Sequence, residues 1–198
     1  MDISDIIKHP DYRGLTSFGS APVHDIALLK LTEDFDFTND AHRHIRPICL
    51  PDNVGQKYTG WDTIVAGWGI SDLQGNMPSI LQEINGTVVH NRKCEWAWSN
   101  QSKSWERMLM SKDKLCVQHP TGQKTCDGDS GGPLITKQPG YDGFSAGQNF
   151  ELIGVVSFGD DECTDNGYYK GGYARVTEHI NWIKETISKT EHTTCPRK

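Results

Sequence analysis

The sequence predicts an all-β chain of barrel or sandwich type that closes on one C-terminal helix. Three observations lead there. Short β-like runs recur along the 198 residues. Turn clusters such as Pro51-Asp52-Asn53, Gln74-Gly75-Asn76 and Pro139-Gly140 separate them. The one clear helical stripe comes last. A chain of this length suits one all-β unit or two small lobes.

Taken in order, strands are expected at 3–8, 26–31, 63–67, 80–90, 114–118, 133–137, 151–158 and 172–176. Residues 91–98 read as one short helical turn behind an Asn91 cap. The helix is expected at 178–189, where Ile180, Ile183 and Ile187 recur at i, i+3 and i+7 and make one apolar face. Ile48-Cys49-Leu50-Pro51-Asp52 reads as a connector between a short N-terminal part and a larger C-terminal part.

Charge and hydropathy exclude several functions. With 20 Lys and Arg against 26 Asp and Glu, the net charge is −6, which argues against nucleic acid or an anionic membrane as partner. The longest apolar runs, at 26–29 and 153–156, are far short of the ~20 residues that span a bilayer. Six cysteines (Cys49, Cys94, Cys116, Cys126, Cys163 and Cys195) are scattered without zinc-type spacing, the pattern of an oxidised extracellular framework. The first ten residues lack the basic start and apolar stretch of an export signal. Together these features lead to the expectation of an extracellular protein whose N-terminal portion is missing from this stretch. No metal and no cofactor is expected.

Two strings carry chemistry. In Gly128-Asp129-Ser130-Gly131-Gly132-Pro133, glycines around a serine let the backbone approach a carbonyl closely and turn two N–H groups the same way. The hydroxyl is a nucleophile if a base stands beside it. In His24-Asp25-Ile26-Ala27-Leu28-Leu29, a carboxylate opens an apolar strand. In this order the two strings resemble the chymotrypsin/trypsin-like serine endopeptidases. Ala66-Gly67-Trp68-Gly69, Arg46-Pro47-Ile48-Cys49-Leu50-Pro51, Ser157-Phe158-Gly159, Gly172-Tyr173-Ala174-Arg175-Val176 and Ile180-Asn181-Trp182-Ile183 extend the likeness over nearly the whole chain.

The resemblance implies a double β-barrel. Residues 1–50 would be the remnant of the first barrel with its connector, 51–177 the complete second barrel, and 178–198 the closing helix and tail. It implies Ser130 as nucleophile, Asp25 as the carboxylate that orients a catalytic imidazolium, and the N–H groups of Gly128 and Ser130 as oxyanion hole. It implies that in an activated member Asp129 pairs with a newly cut N-terminal amine, and the Ile-Val-Gly-Gly-like activation sequence that would supply it is absent from these residues. Substrate would meet Lys124, Thr125, Asp127, Ser157, Phe158, Gly159 and Gly171. Lys124 has two readings: an ammonium that favours an acidic substrate side chain, or one neutralised by Asp127, Asp160 or Asp161. The implied disulfides are Cys94–Cys116 and Cys126–Cys163. The family's further cysteine pair is replaced by Thr63 and Thr136. Cys49 either bridges to Cys195 or tethers an N-terminal chain.

The catalytic histidine is absent from this pattern. Only His9 and His24 precede Asp25, and neither has the Ala-Ala-His-Cys context. Both read as loop histidines: His9 precedes Pro10, and His24 adjoins Asp25, where successive side chains point to opposite faces. His42, His44, His90, His119, His179 and His192 match no motif and read as solvated or core-edge residues. The expectation is a serine endopeptidase acting on a polypeptide substrate or held by an inhibitor, inactive as the stretch stands. The alternative is a non-catalytic homologue that binds a partner through the substrate groove.

Overall fold

Strand β1 (Ile3–Lys8) pairs antiparallel with β2 (Ala27–Leu31) in a two-stranded sheet of their own in the computed structural model. The structure describes residues 1–14, 21–37, 45–72, 74–101, 110–138, 150–159 and 170–189. The remaining strands are β3 (Asp62–Gly67), β4 (Gln82–Val89), β5 (Lys114–Gln118), β6 (Pro133–Lys137), β7 (Phe150–Phe158) and β8 (Lys170–Arg175). They close a barrel in the order β3-β4-β5-β8-β7-β6. Helix α1 (Asn91–Gln101) connects β4 to β5, and α2 (Val176–Ser188) ends the fold. An incomplete first sheet, a closed second barrel and a C-terminal helix are thus what the sequence leads one to expect.

The barrel closes because alternate strand residues fill its interior. Leu115, Val117, Leu134, Ile153 and Tyr173 are all fully buried there. Thr63 and Thr136, the pair that replaces two cysteines, are direct partners across β3 and β6, and each is 1% exposed. The two changes therefore fall at one contact. The connector docks on the barrel through Cys49, whose carbonyl accepts the Leu152 N–H at 2.9 Å.

Two expectations about helices need correction. The segment after β4 is an eleven-residue helix rather than one turn. Its side-chain cap is His90, whose Nδ1 accepts the Arg92 N–H at 3.2 Å. Asn91 instead donates through Nδ2 to the carbonyls of Lys114 (3.1 Å) and Ser111 (3.4 Å). The sequence of α1 lacks an apolar stripe, and the helix is held from outside, by the Cys94–Cys116 disulfide to β5. The last helix starts at Val176, two residues early, because β8 runs straight into it. Val176 and Thr177 are buried at that junction, along with Ile180 and Ile183. No helix among the described residues is long and apolar enough to cross a membrane.

Candidate active site

The loop between β5 and β6 carries Ser130 at an exposed position. Three glycines in it have positive φ, Gly122 at +83°, Gly128 at +96° and Gly131 at +83°, a region that side chains with a Cβ rarely adopt. The neighbouring Asp129 carboxylate folds inward. Its Oδ1 accepts the Gly69 N–H at 2.8 Å and its Oδ2 the Cys126 N–H at 3.0 Å. Gly67 and Gly69 form the floor beneath it. A Cβ at Gly67 would lie 2.0 Å from Asp129 Oδ1, and one at Gly69 would lie 2.5 Å from its Cγ. The Gly-Trp-Gly string at the end of β3 is therefore a space requirement of a carboxylate 60 residues away.

Backbone pairing fixes the loop to β7. The Gly131 N–H donates to the Val156 carbonyl, and the Val156 N–H to the Gly132 carbonyl, each at 2.9 Å. The next residue, Ser157, donates from Oγ to Asp25 Oδ2 at 2.6 Å. Consecutive residues of one strand thus hold the Ser130 loop and the Asp25 carboxylate.

Neither early histidine joins them. His24 has φ +51°, and its N–H donates to Asp113 Oδ2 at 2.7 Å. Its ring Nδ1 lies 3.2 Å from His179 Nε2, while the adjacent Asp25 reaches Ser157. His9 stacks on His24, with ring centroids 4.5 Å apart and planes 7° apart. His9 and His24 lie in loops as expected, but His9 is 9% exposed and His179, at 1%, is not a solvated or core-edge residue: the three rings form a cluster. Burial pushes the His9 and His179 imidazoles below the ordinary value of 6.5, and the neighbouring His24 lowers both further. Burial alone would raise the Asp113 carboxyl. The Ser111 hydroxyl, the His24 N–H and the Lys114 ammonium outweigh that and hold it below its ordinary value. The Lys114 ammonium sits 3.2 Å from Asp113 Oδ2, and burial lowers its own pKa.

Among the implied substrate residues, the structure groups some and separates others. Lys124 and Thr125 line a cavity of about 260 Å³ together with Gly67, Gly69, Cys126 and Asp129. Ser157, Phe158, Gly159 and Gly171 lie outside that lining. The Phe158 ring covers Gly172, where a Cβ would come within 2.5 Å, and packs on the Cys94, Met110 and Cys116 cluster. Gly171 is buried, and Tyr173 fills the space a Cβ would need there. Asp127 and Gly159 are exposed. Asp160 and Asp161 lie outside the described residues, as do His42, His44 and His192.

The Cys94–Cys116 bridge is formed. Cys126 is disulfide-bonded as well, and both Cys163 and Cys195 lie outside the described residues. Cys49 is 4% exposed. The sequence reading missed Asp113 and His179 as neighbours of the site. No local signal marks them, since 155 residues separate His24 from His179.

Comparison with known proteins shows the family. The chain is 34% identical over 185 residues to a venom protease of Bombus pensylvanicus, covering 91% of this chain and 65% of that protein. It is 32% identical over 187 residues to phenoloxidase-activating factor 1 of Holotrichia diomphalia, covering 94% and 45%. It is 34% identical over 185 residues to serine protease ea of Drosophila melanogaster, covering 91% and 42%. The chain thus spans less than two thirds of each of these relatives. The family model described as Trypsin matches residues 1–183, and the chain belongs to the trypsin-like serine proteases.

Proposed function

We propose that this stretch carries the nucleophile and the orienting carboxylate of an extracellular serine endopeptidase, and that its imidazole base comes from sequence outside these 198 residues. One observation supports the reading: Val156 pairs with the backbone of the Ser130 loop, and the next residue, Ser157, bonds Asp25. Among the described residues, His9 and His24 are engaged with His179 rather than with Asp25, which supports the reading that the stretch alone is inactive.

In the complete site, Ser130 Oγ attacks the scissile carbonyl carbon and passes its proton to the imidazole. The N–H groups of Gly128 and Ser130 stabilise the oxyanion. Asp25 orients the imidazolium, which then protonates the leaving amine. Water repeats the sequence on the acyl-enzyme and frees Ser130. Asp129, whose carboxylate is held by the Gly69 and Cys126 N–H groups, is the partner for an incoming N-terminal amine. Cys49 on the connector either bridges to Cys195 or ties a disulfide-linked N-terminal chain to the fold. Polypeptides are the substrates, with inhibitors of the same shape as partners.

Specificity follows from Lys124. Where its counter-charge comes from the substrate rather than from a neighbouring carboxylate, the half-buried Lys124 ammonium favours an acidic residue before the scissile bond and repels Lys or Arg. The test is hydrolysis of matched Glu and Arg peptides by the longer protein that contains this stretch. Faster cleavage after Glu, lost in Ser130→Ala, is expected. Faster cleavage after Arg sinks the specificity reading. Partner binding with no hydrolysis would favour the non-catalytic alternative.

A further inference from the structure

We propose that His9, His24 and His179 form a binding site for a divalent transition-metal ion of the zinc class. The three residues come from the end of β1, the turn before β2 and the first half of α2. Each offers a ring nitrogen, and these atoms lie within 4.8 Å of one another. Imidazole nitrogen is a preferred donor for Zn²⁺, Cu²⁺ and Ni²⁺.

Two of the three ligands already stand at coordination distance. Tetrahedral zinc with Zn–N bonds of 2.0–2.1 Å requires nitrogens about 3.3 Å apart. His24 Nδ1 and His179 Nε2 are 3.2 Å apart. His179 is also oriented as a ligand is: its Nδ1–H donates to the Arg175 carbonyl at 2.8 Å, which leaves the Nε2 lone pair directed at His24. His24 is held by its backbone, through φ +51° and the 2.7 Å bond from its N–H to Asp113. A strained residue kept in place by a buried carboxylate is what a fixed ligand position needs.

His9 is the ligand that moves. Its plane is parallel to that of His24, and two parallel rings cannot both contain one ion in their planes. Binding therefore tilts His9 out of the stack and closes the widest pair by about 1.5 Å. The tilt gives up the 3.2 Å bond from the Asp11 N–H to His9 Nδ1, and Asp11 is exposed, so water replaces that acceptor. The fourth position is left for water or a substrate group. Because His24 and Asp25 are consecutive, an ion here is anchored one residue from the carboxylate that Ser157 holds.

The site is tested on the metal-stripped 198-residue chain, by calorimetric titration with Zn²⁺ and by visible absorption on addition of Co²⁺. One ion per chain is expected. His24→Asn suits the positive φ and keeps the fold, which circular dichroism checks. It should weaken Zn²⁺ binding at least about tenfold, as should His9→Gln, since even loss of an outer partner costs about 10–100-fold. His90→Gln, on an exposed cap far from the cluster in sequence, should leave binding unchanged. Lack of stoichiometric uptake overturns the site. So does uptake that either His24→Asn or His9→Gln leaves intact. The readout is metal binding alone, so its failure is separate from any failure of the protease reading.

Discussion

Removing the Cys94–Cys116 bridge by a double Cys→Ala substitution should cost about 3.4 kcal/mol. The bridge closes a loop with a sequence separation of 22, and the chain-entropy relation gives about that value at 25 °C. Both cysteines are fully buried and support the Phe158 ring from below, so the cost also falls on the strand end that holds the serine loop. Urea unfolding under non-reducing conditions reads it. With a slope of about 2 kcal/mol/M, the midpoint should drop by about 1.7 M. Cys94→Ala alone should match the double substitution to within about 0.5 kcal/mol, because either one opens the loop. A double variant whose midpoint stays within about 0.5 M of the parent refutes the reasoning.

Gly67→Ala should drive the Asp129 carboxylate from its place and cost about 2 kcal/mol or more, through loss of charge-assisted bonds from Gly69 and Cys126. An unchanged thermal midpoint would contradict it. Thr63→Val should stabilise the barrel by about 1 kcal/mol, because Thr63 Oγ1 is buried without a hydrogen-bond partner among the described residues. A loss of stability in calorimetry would refute that. His119 gives a pH dependence. Burial holds its imidazole below the ordinary 6.5, against a smaller opposing effect of the Asn85 carbonyl. The unfolded chain therefore takes up the proton first. Stability should be full above about pH 6.5 and fall as pH drops below it, by at most about 1.4 kcal/mol per unit for each such histidine. A urea midpoint equal at pH 7.5 and 5.5 would contradict the assignment, and His9 and His179 act in the same direction.

Much of the fold was legible because its signals are local. Alternation and turn residues placed β1, β5 and β6 to the residue, and the isoleucine stripe found α2. Helix α1 was under-read because its stability comes from a disulfide and from Asn91 contacts to β5 rather than from its own sequence. The Gly-Trp-Gly string could be recognised before it could be explained; the explanation needed Asp129 above it. Asp25 and Ser130 were legible as motifs, but their common support at Val156 and Ser157 is a tertiary fact. The histidine cluster was illegible for the same reason: residues 9, 24 and 179 share no period and no spacing.

The central claim is that Ser130 and Asp25 share one site whose proton acceptor is supplied from elsewhere. Fluorophosphonate labelling of Ser130 measures it most directly, on the 198-residue chain and on a longer protein that contains it. The account predicts labelling of the longer protein, abolished by Ser130→Ala and sharply reduced by Asp25→Asn, and none of the isolated chain. Stoichiometric labelling of Ser130 in the 198-residue chain would contradict it.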